Sequence, residues 1–167
     1  GVTQDLRNSV ASVNELAQRL AAVNGQIAAT RGTGQSPNDL LDERDRLLGE
    51  LSGFVQLTTV AADDGTLGVF IAGGQRLVLG TEASQLSVVP DAYDPARQAI
   101  AITEGGQSRP LASALLGAGS LGGLVRFQNE DLVAARVQVD SAAAGQGAVD
   151  VWLRDGANPA RFLARSS

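Results

Sequence analysis

The chain contains no cysteine, no histidine and no lysine, so its 13 basic residues are all arginines. Without cysteine it has no disulfide and no thiol nucleophile, and without histidine it has no imidazole base. A serine nucleophile would also lack the histidine or lysine that normally activates it. Metal sites built from thiolate or imidazole ligands are excluded for the same reason. Only carboxylates remain as candidate catalytic or metal-binding groups.

Aromatic residues are scarce as well. They make up 4% of the 167 residues, whereas hydrophobic residues make up 44% and are mostly Ala, Leu and Val. This length is enough for one domain, or one and a half, with an aliphatic core that suits helix bundles and small sheets. Deep ligand pockets usually have aromatic walls. We therefore expect neither a deep pocket nor a cofactor.

Long basic or apolar runs are also missing. The net charge is -5 and no window is densely basic, which argues against a nucleic-acid partner. No apolar run approaches the roughly 18 residues that a membrane-spanning helix needs. The first four residues lack the charged and apolar regions of a secretory signal peptide. We therefore expect no membrane span and, if the protein is exported, no cleaved signal peptide.

A long amphipathic helix is predicted over residues 3–31, with Thr3 as its N-cap. Its apolar stripe contains residues spaced seven apart: Leu6, Val13, Leu20 and Ile27. Such spacing is typical of a helix that packs along another helix, and Asn24 interrupts the row beside it. Glu15 and Arg19 form an i,i+4 pair on the outer face. A helix of this length spans about 42 Å, which favours a rod-like or filament-building domain.

A second helix is predicted over residues 37–52. Ser36 at the N-cap, Pro37 at the first helical position and Asp39 at the third form a capping box. Its apolar face contains five leucines, namely Leu40, Leu41, Leu47, Leu48 and Leu51. Asp42 and Arg46 pair on the opposite face. The short loop between the helices predicts an antiparallel helical hairpin.

A change from helical to alternating periodicity predicts an antiparallel β meander. Its strands are expected at Phe54–Val60, Leu67–Ala72, Gln75–Leu79, Gln85–Val89 and Gln98–Thr103. Gly73-Gly74 forms a tight hairpin turn, and Gly105-Gly106 ends the last pair. Helical patterns return at Leu111–Leu116 and after Ser120, which would cap a helix that includes Leu132 and Val139. Two further strands are expected at Val149–Arg154 and Arg161–Ala164.

The predicted fold is therefore α+β: a long antiparallel helical hairpin with an inserted antiparallel β meander and a short β-rich C-terminal part. The pattern divides the chain into a helical rod part at 1–53, the meander at 54–110, returning helices at 111–144 and a hairpin-like tail at 145–167. The tail is either part of an outer β domain or the product of joined or trimmed segments.

The candidate catalytic groups are four aspartates, in two pairs. Asp63 and Asp64 precede a glycine, which is ordinary turn chemistry, whereas a Ca²⁺ loop needs more oxygen ligands at regular spacing. Asp91 and Asp94 flank Tyr93 in a proline-containing loop. A hydrolase that uses these carboxylates is an alternative, but the expectation is a non-enzymatic protein without catalytic, cofactor-binding or metal-binding residues.

The glycine-rich segment at 117–123 lacks the spacing and the lysine of a phosphate-binding loop, and is interpreted as a flexible, capped helix start.

Two segments carry a family resemblance: residues 36–51, SPNDLLDERDRLLGEL, and residues 119–132, GSLGGLVRFQNEDL. In this order, with a β-rich stretch between them and a long amphipathic helix before them, they resemble the flagellar hook-associated protein 1 family. The resemblance covers roughly residues 3–136. Residues 137–167 depart from the family pattern, because the expected helix fades into glycine-rich and strand-like sequence.

The resemblance implies a structural axial component that joins hook to filament in the bacterial flagellum. Its partners would be other copies of itself, the hook protein and a neighbouring hook-associated protein. The family is exported unfolded by the flagellar type III apparatus, so an extracellular location is implied. Terminal helices that drive polymerisation in the family are expected to be missing, which would leave this central fragment monomeric. An extracellular adhesin-like or immunogenic binding module is the other open alternative.

Overall fold

The structure, a computed structural model, describes residues 1–128. Helix α1 (Val2–Thr30) begins one residue earlier than predicted, so that Gly1 is the N-cap and Thr3 lies inside the helix. No side chain caps the first turn, and the prediction that Thr3 does so was wrong. The four residues of the predicted stripe, Leu6, Val13, Leu20 and Ile27, are all buried. The Glu15–Arg19 ion pair is confirmed at 2.8 Å.

Helix α2 (Asn38–Ser52) follows after a short connection and packs against α1. Pro37 occupies the N-cap position and no side chain caps the helix, so the predicted capping box was wrong. Leu47 and Leu51 are fully buried, whereas the other three leucines of the face are partly buried against the core. The predicted partner of Arg46 was also wrong. Its guanidinium group bonds to Glu43 at 2.7 Å and to Glu50, instead of to Asp42.

Within residues 1–128, seven antiparallel strands form two sheets instead of a single meander. The first sheet has the order β1-β2-β3-β4 and consists of β1 (Leu57–Ala61), β2 (Leu67–Ile71), β3 (Gln75–Leu79) and β4 (Glu82–Ala83). The second has the order β5-β6-β7 and consists of β5 (Gln85–Pro90), β6 (Gln98–Glu104) and β7 (Gln107–Pro110). The predicted first strand began too early, because residues 54–56 are not in a strand.

Two short strands, β4 and β7, were not predicted. Gly105-Gly106 does follow the end of the β5–β6 pair, as predicted, and it also reverses the chain between β6 and β7. Both glycines have positive φ, 57° and 81°, as a two-residue hairpin turn requires. The turn predicted at Gly73-Gly74 is confirmed between β2 and β3, with positive φ at both glycines. Ala72, predicted as the last residue of the strand, also belongs to this turn and has a φ of 48°.

After β7 the chain forms a 3-10 helix (Ser113–Leu116), where a short helix was expected at Leu111–Leu116. Residues 120–128 are helical and are called α3 here. Leu121 and Val125 of α3 are buried. The predictions for Leu132, Val139 and the strands at 149–154 and 161–164 concern residues outside the described part of the chain.

One hydrophobic core contains residues from α1, α2, both sheets and α3. The α+β class and the helical hairpin are therefore confirmed, and α1 contacts β3 and β4 of the first sheet as well as β5 of the second. The division into segments at 53, 110 and 144 stays a prediction. What the fold establishes is that α1 is a common support along which both sheets are attached.

Candidate assembly surface

Asn24 attaches the first sheet to α1. Its side chain is completely buried, and its amide donates to the carbonyl oxygens of Leu67 at 3.0 Å and of Gly80 at 2.8 Å. Its side-chain oxygen accepts the N–H of Leu67 at 3.0 Å. Asn24, the polar residue that interrupts the apolar stripe, thus makes three hydrogen bonds to backbone groups at the ends of β2 and β3. Because these backbone groups are fixed in direction, the amide defines where the sheet lies on the helix.

Two further amides attach the second sheet. Asn14 donates to the Leu86 carbonyl at 2.9 Å and accepts the Leu86 N–H at 2.8 Å. Gln128, on α3, does the same for Gln98, with distances of 2.9 Å and 2.8 Å. Sequence reasoning missed all three amide attachments. The available signal was a polar residue on an otherwise apolar helical stripe, which indicates a buried hydrogen-bonding group but not its partner.

The glycine-rich segment allows α3 to lie directly against the connection between α2 and β1. The N–H groups of Ser120 and Leu121 donate to the carbonyl oxygens of Gly53 and Phe54 at 3.0 and 2.9 Å. A Cβ atom at Gly119 would lie 2.5 Å from the Phe54 carbonyl group. The prediction that Ser120 caps this helix was wrong, because Ser120 is itself the first helical residue and its N–H donates to Gly53. The glycines serve close backbone packing, and the first N–H groups of α3 bond to backbone carbonyls.

Asp63 and Asp64 lie in the turn between β1 and β2. One oxygen of Asp64 accepts the Thr66 hydroxyl at 2.6 Å and the Thr66 N–H at 2.9 Å. These hydrogen bonds from Thr66, with a smaller contribution from the charge of Arg31, hold the pKa of Asp64 below its usual value. This arrangement is that of an Asx turn, which orders a loop.

Asp91 and Asp94 lie in a different loop, between β5 and β6. One oxygen of Asp91 accepts the N–H groups of Tyr93 at 2.8 Å and of Asp94 at 3.0 Å. Asp94 accepts the N–H of Ala96 at 3.3 Å and lies 3.8 Å from Nε of Arg97. The structure does not bring the two aspartate pairs together, and residues 1–128 contain no group of three acidic residues arranged to hold a metal ion.

Tyr93 is the most exposed large hydrophobic side chain of the described residues, at 97% of its accessible area. The hydrogen bonds to Asp91 fix the backbone on which it stands. An aromatic residue this exposed, on an ordered loop between two carboxylates, is an unusual feature in a chain with so few aromatics. We refer to residues 91–97 as the Tyr93 loop.

A groove with a volume of about 640 Å³ lies where α1 and α2 meet the turn between β1 and β2. Its apolar wall includes Ile27, Pro37, Leu41 and Leu67, and its charged residues are Arg31 and Arg44. Nη1 of Arg44 donates to the carbonyl oxygen of Gly65 at 3.0 Å. Nε of Arg44 is buried and has no hydrogen-bond partner among the described residues. We call this the arginine groove.

Glu104 joins the two sheets through ion pairs. Its carboxylate contacts Arg109 of its own sheet at 2.9 Å and Arg76 of the first sheet. Arg109 also donates to the side-chain oxygen of Gln75 on β3 at 2.8 Å. The hydrogen bond from Arg109, followed by the charges of both arginines, holds the pKa of Glu104 below its usual value. The network fixes the relative position of the two sheets.

Apolar side chains on the described surface include Val60, Leu79, Leu115 and Phe127. Val60 belongs to β1, an edge strand whose residues beyond Leu57 are exposed. No helix within residues 1–128 combines the length and the apolar character that a bilayer crossing requires. The surface thus offers grooves, an edge strand and a protruding aromatic loop, which are features used in contacts between proteins.

Comparison with known proteins gives one consistent result. The family model described as "Flagellar hook-associated protein FlgK helical domain" matches residues 1–149. Flagellar hook-associated protein 1 of Salmonella typhimurium is 41% identical over 128 residues, and that of Escherichia coli is 39% identical over 127. These alignments cover 75% and 74% of this chain.

The solved structure of the flagellar hook junction protein FlgK from Burkholderia pseudomallei has the same fold. It superimposes with a TM-score of 0.68 and 33% sequence identity over 75% of this chain. The chain spans only 23% of the length of that structure and of the Salmonella and Escherichia relatives.

Proposed function

Because the chain belongs to the flagellar hook-associated protein FlgK helical domain family, we propose that it is a structural segment of the junction between flagellar hook and filament. The observation that carries the proposal is the agreement between sequence and fold: about 40% identity to hook-associated protein 1 together with the match to a hook junction structure. In this role the segment works by packing against neighbouring subunits.

The arrangement of the hydrogen bonds supports this role. The two sheets are held on α1 by Asn14 and Asn24, and to each other through Glu104. A subunit of an axial structure must hold its surfaces in fixed relative positions, because a small angular error is repeated at every contact of a symmetric assembly. Buried amides and ion-pair networks give that kind of directional constraint.

A role without catalysis is part of the proposal. Its support is that Asp63, Asp64, Asp91 and Asp94 lie in two separate loops and that three of them bond to nearby backbone N–H groups. Histidine, cysteine and lysine are absent from the whole sequence. We propose that the protein needs neither metal nor cofactor, and the known relatives are flagellar structural proteins.

The proposed location is outside the cell, on the flagellum, after export without a cleaved signal peptide. The proposed partners are other copies of the same protein, the hook protein and a neighbouring hook-associated protein. The chain alone is proposed to be monomeric, since the apolar stripe of α1 is already buried in the core by α2 and both sheets.

A chimera tests the proposal. In Salmonella typhimurium hook-associated protein 1, the aligned 128-residue segment is replaced by the corresponding part of this chain. We expect the chimera to restore swimming and attached filaments to cells that lack their own protein. A chimera that is stable and exported but leaves the hooks without filaments would contradict the proposed role. The unaltered Salmonella protein, expressed in the same way in the same cells, is the positive control.

A further inference from the structure

We propose that the Tyr93 loop of one copy docks into the arginine groove of a neighbouring copy. This inference rests on the proposed function, in which copies of the chain pack against one another, and it identifies the two surfaces that meet.

The groove is cationic and partly apolar. Arg31 and Arg44 are its charged lining residues, and none of its lining residues is acidic. The Arg31 side chain lies over the β1–β2 turn, where a Cβ atom at Gly65 would be 3.1 Å from its Nη1. An aromatic ring satisfies both properties of such a groove, because its faces attract guanidinium groups and its area covers apolar walls.

The Tyr93 loop has the complementary properties. Its tip carries an aromatic ring that is 97% exposed, with Asp91 and Asp94 on either side. The loop is ordered by the hydrogen bonds that Asp91 accepts from the backbone, so little conformational entropy is lost when it binds. The loop contains two aspartates and one arginine, Arg97, which lies 3.8 Å from Asp94, so its net charge is -1. This charge is complementary to the two arginines of the groove, which favours this pairing over contacts between the acidic outer faces of α2.

The loop and the groove lie on different parts of one copy. The groove is lined by residues of α1, α2 and the first sheet, and no residue from 68 to 128 takes part. The loop belongs to the second sheet, between β5 and β6. When such a contact is not exchanged reciprocally between the same two copies, it is heterologous, and its repetition around an axis produces a ring or a helical array. That is the symmetry required of subunits in a tubular structure.

The contact is small, so its occupancy depends on the effective concentration of the loop and the groove. One loop in one groove buries much less than the roughly 1,000 Å² of a stable interface. In an assembly that already holds neighbouring copies together, the effective concentration of loop and groove reaches about the millimolar range. The inferred contact therefore sets the angle and register between neighbours but does not drive association of the free chain.

Site-directed disulfide trapping tests the inference on the 167-residue chain, whose lack of cysteine allows single cysteines to be introduced. One chain carries Ala92→Cys beside the intact Tyr93, and the other carries Gln35→Cys in the lining of the groove. Both positions are exposed. The two chains are mixed at about 1 mM, to match the effective concentration in an assembly, and oxidised. The linked heterodimer is measured by non-reducing electrophoresis.

The matched control replaces Gln35→Cys by Gln18→Cys, an exposed position in the middle of α1. We expect the groove cysteine to give a heterodimer yield about fivefold higher than this control. Tyr93→Ala in the loop chain should reduce the yield to the control level. The reaction rate of each cysteine with a small neutral disulfide corrects for differences in thiol reactivity.

The charge of the groove is tested separately. Arg31→Glu in the groove chain should lower the yield roughly two- to fivefold, because an exposed charge contact contributes modestly. Arg7→Glu makes the same change in charge on an exposed part of α1, about 36 Å away, and should leave the yield unchanged. Equal yields for groove and control cysteines, or a yield insensitive to both Tyr93→Ala and Arg31→Glu, would overturn the inference. The chimera test of the junction role is independent of this result.

Discussion

The buried side chain of Asn24 binds both backbone groups of Leu67, its oxygen accepting the N–H and its amide donating to the carbonyl, each at 3.0 Å. Leu67 is the first residue of β2, so this contact fixes the point at which the first sheet meets α1. Asn14 makes the same two-bond contact with Leu86, at the second sheet, ten residues and about 15 Å earlier on the helix.

Replacement of Asn24 by alanine should therefore destabilise the protein more than replacement of an exposed asparagine does. We expect Asn24→Ala to lower the free energy of unfolding by about 2–4 kcal/mol, because three backbone groups lose their partner in a buried environment. Asn8→Ala is the matched control, since Asn8 is exposed on the same helix and accepts only from Gln4. It should change stability by less than about 0.5 kcal/mol. Urea denaturation of both variants measures the difference.

Two glycines should respond in opposite ways to the same substitution. Gly119→Ala would place a methyl group 2.5 Å from the Phe54 carbonyl, so α3 must move away and the protein should lose roughly 1–3 kcal/mol of stability. Gly49→Ala, in the exposed interior of α2, meets no atom within 4 Å. It should gain roughly 0.5–1 kcal/mol from helix propensity. Thermal unfolding should separate the two variants in opposite directions from the parent chain; equal shifts would contradict the packing described for α3.

The helical hairpin was predictable because its signal is local and repeated. The spacing of Leu6, Val13, Leu20 and Ile27 identified the buried face of α1 correctly. Strand β7 was missed because Gln107-Ser108-Arg109-Pro110 is polar and mostly exposed, so that no alternating pattern marks it. It pairs with β6 through backbone hydrogen bonds, which the side-chain pattern does not encode.

The features of the surface were harder to predict because they join distant residues. Asp42, Glu43 and Glu50 are all within reach of Arg46 on a helix, and the rotamers of the folded chain determine that the two glutamates are its partners. The groove that contains Arg44 exists only after the turn at Gly65 lies against α2. The exposed Tyr93 was noted only as a residue between two aspartates.

Leu47 should behave as a central core residue. Leu47→Ala should lower the free energy of unfolding by roughly 2–5 kcal/mol, because the side chain is fully buried and a cavity would remain. Leu48→Ala is the matched comparison: the same side chain at the next position is only partly buried, so a smaller loss is expected. A loss below about 0.5 kcal/mol for Leu47→Ala would mean that the face of α2 is not part of the core.

Acid should weaken the connection between the two sheets. The pKa of Glu104 is lowered in the folded protein by its hydrogen bond to Arg109 and by the charges of Arg76 and Arg109. A lowered pKa contributes stability that is fully present above the pKa of the unfolded chain, about 4.3 for glutamate, and that is lost as the pH falls through the folded value. The contribution of Glu104 to stability should therefore be nearly constant from pH 7 to about 5 and decrease below about 4.

The variant Glu104→Gln shows how much of the loss of stability at low pH is due to this residue. The variant should be less stable than the parent at pH 7, and the difference should shrink as the pH falls below about 4, where the parent carboxylate is itself protonated. Denaturation curves at closely spaced pH values measure this convergence. A difference that is the same at pH 7 and pH 3 would show that the ion pairs do not account for the effect of the substitution.

The chain alone should remain monomeric at low micromolar concentration. The apolar stripe of α1 is buried by α2 and both sheets, so it is not available to a partner. A single Tyr93 loop in a single groove is far below the roughly 1,000 Å² that a stable interface needs, and a net charge of -5 mildly opposes association. Sedimentation velocity at increasing concentration measures the oligomeric state. A stable dimer at low micromolar concentration would contradict this expectation, and the exposed edge of β1 would be the first surface to test, because an unpaired edge strand can pair with a second copy.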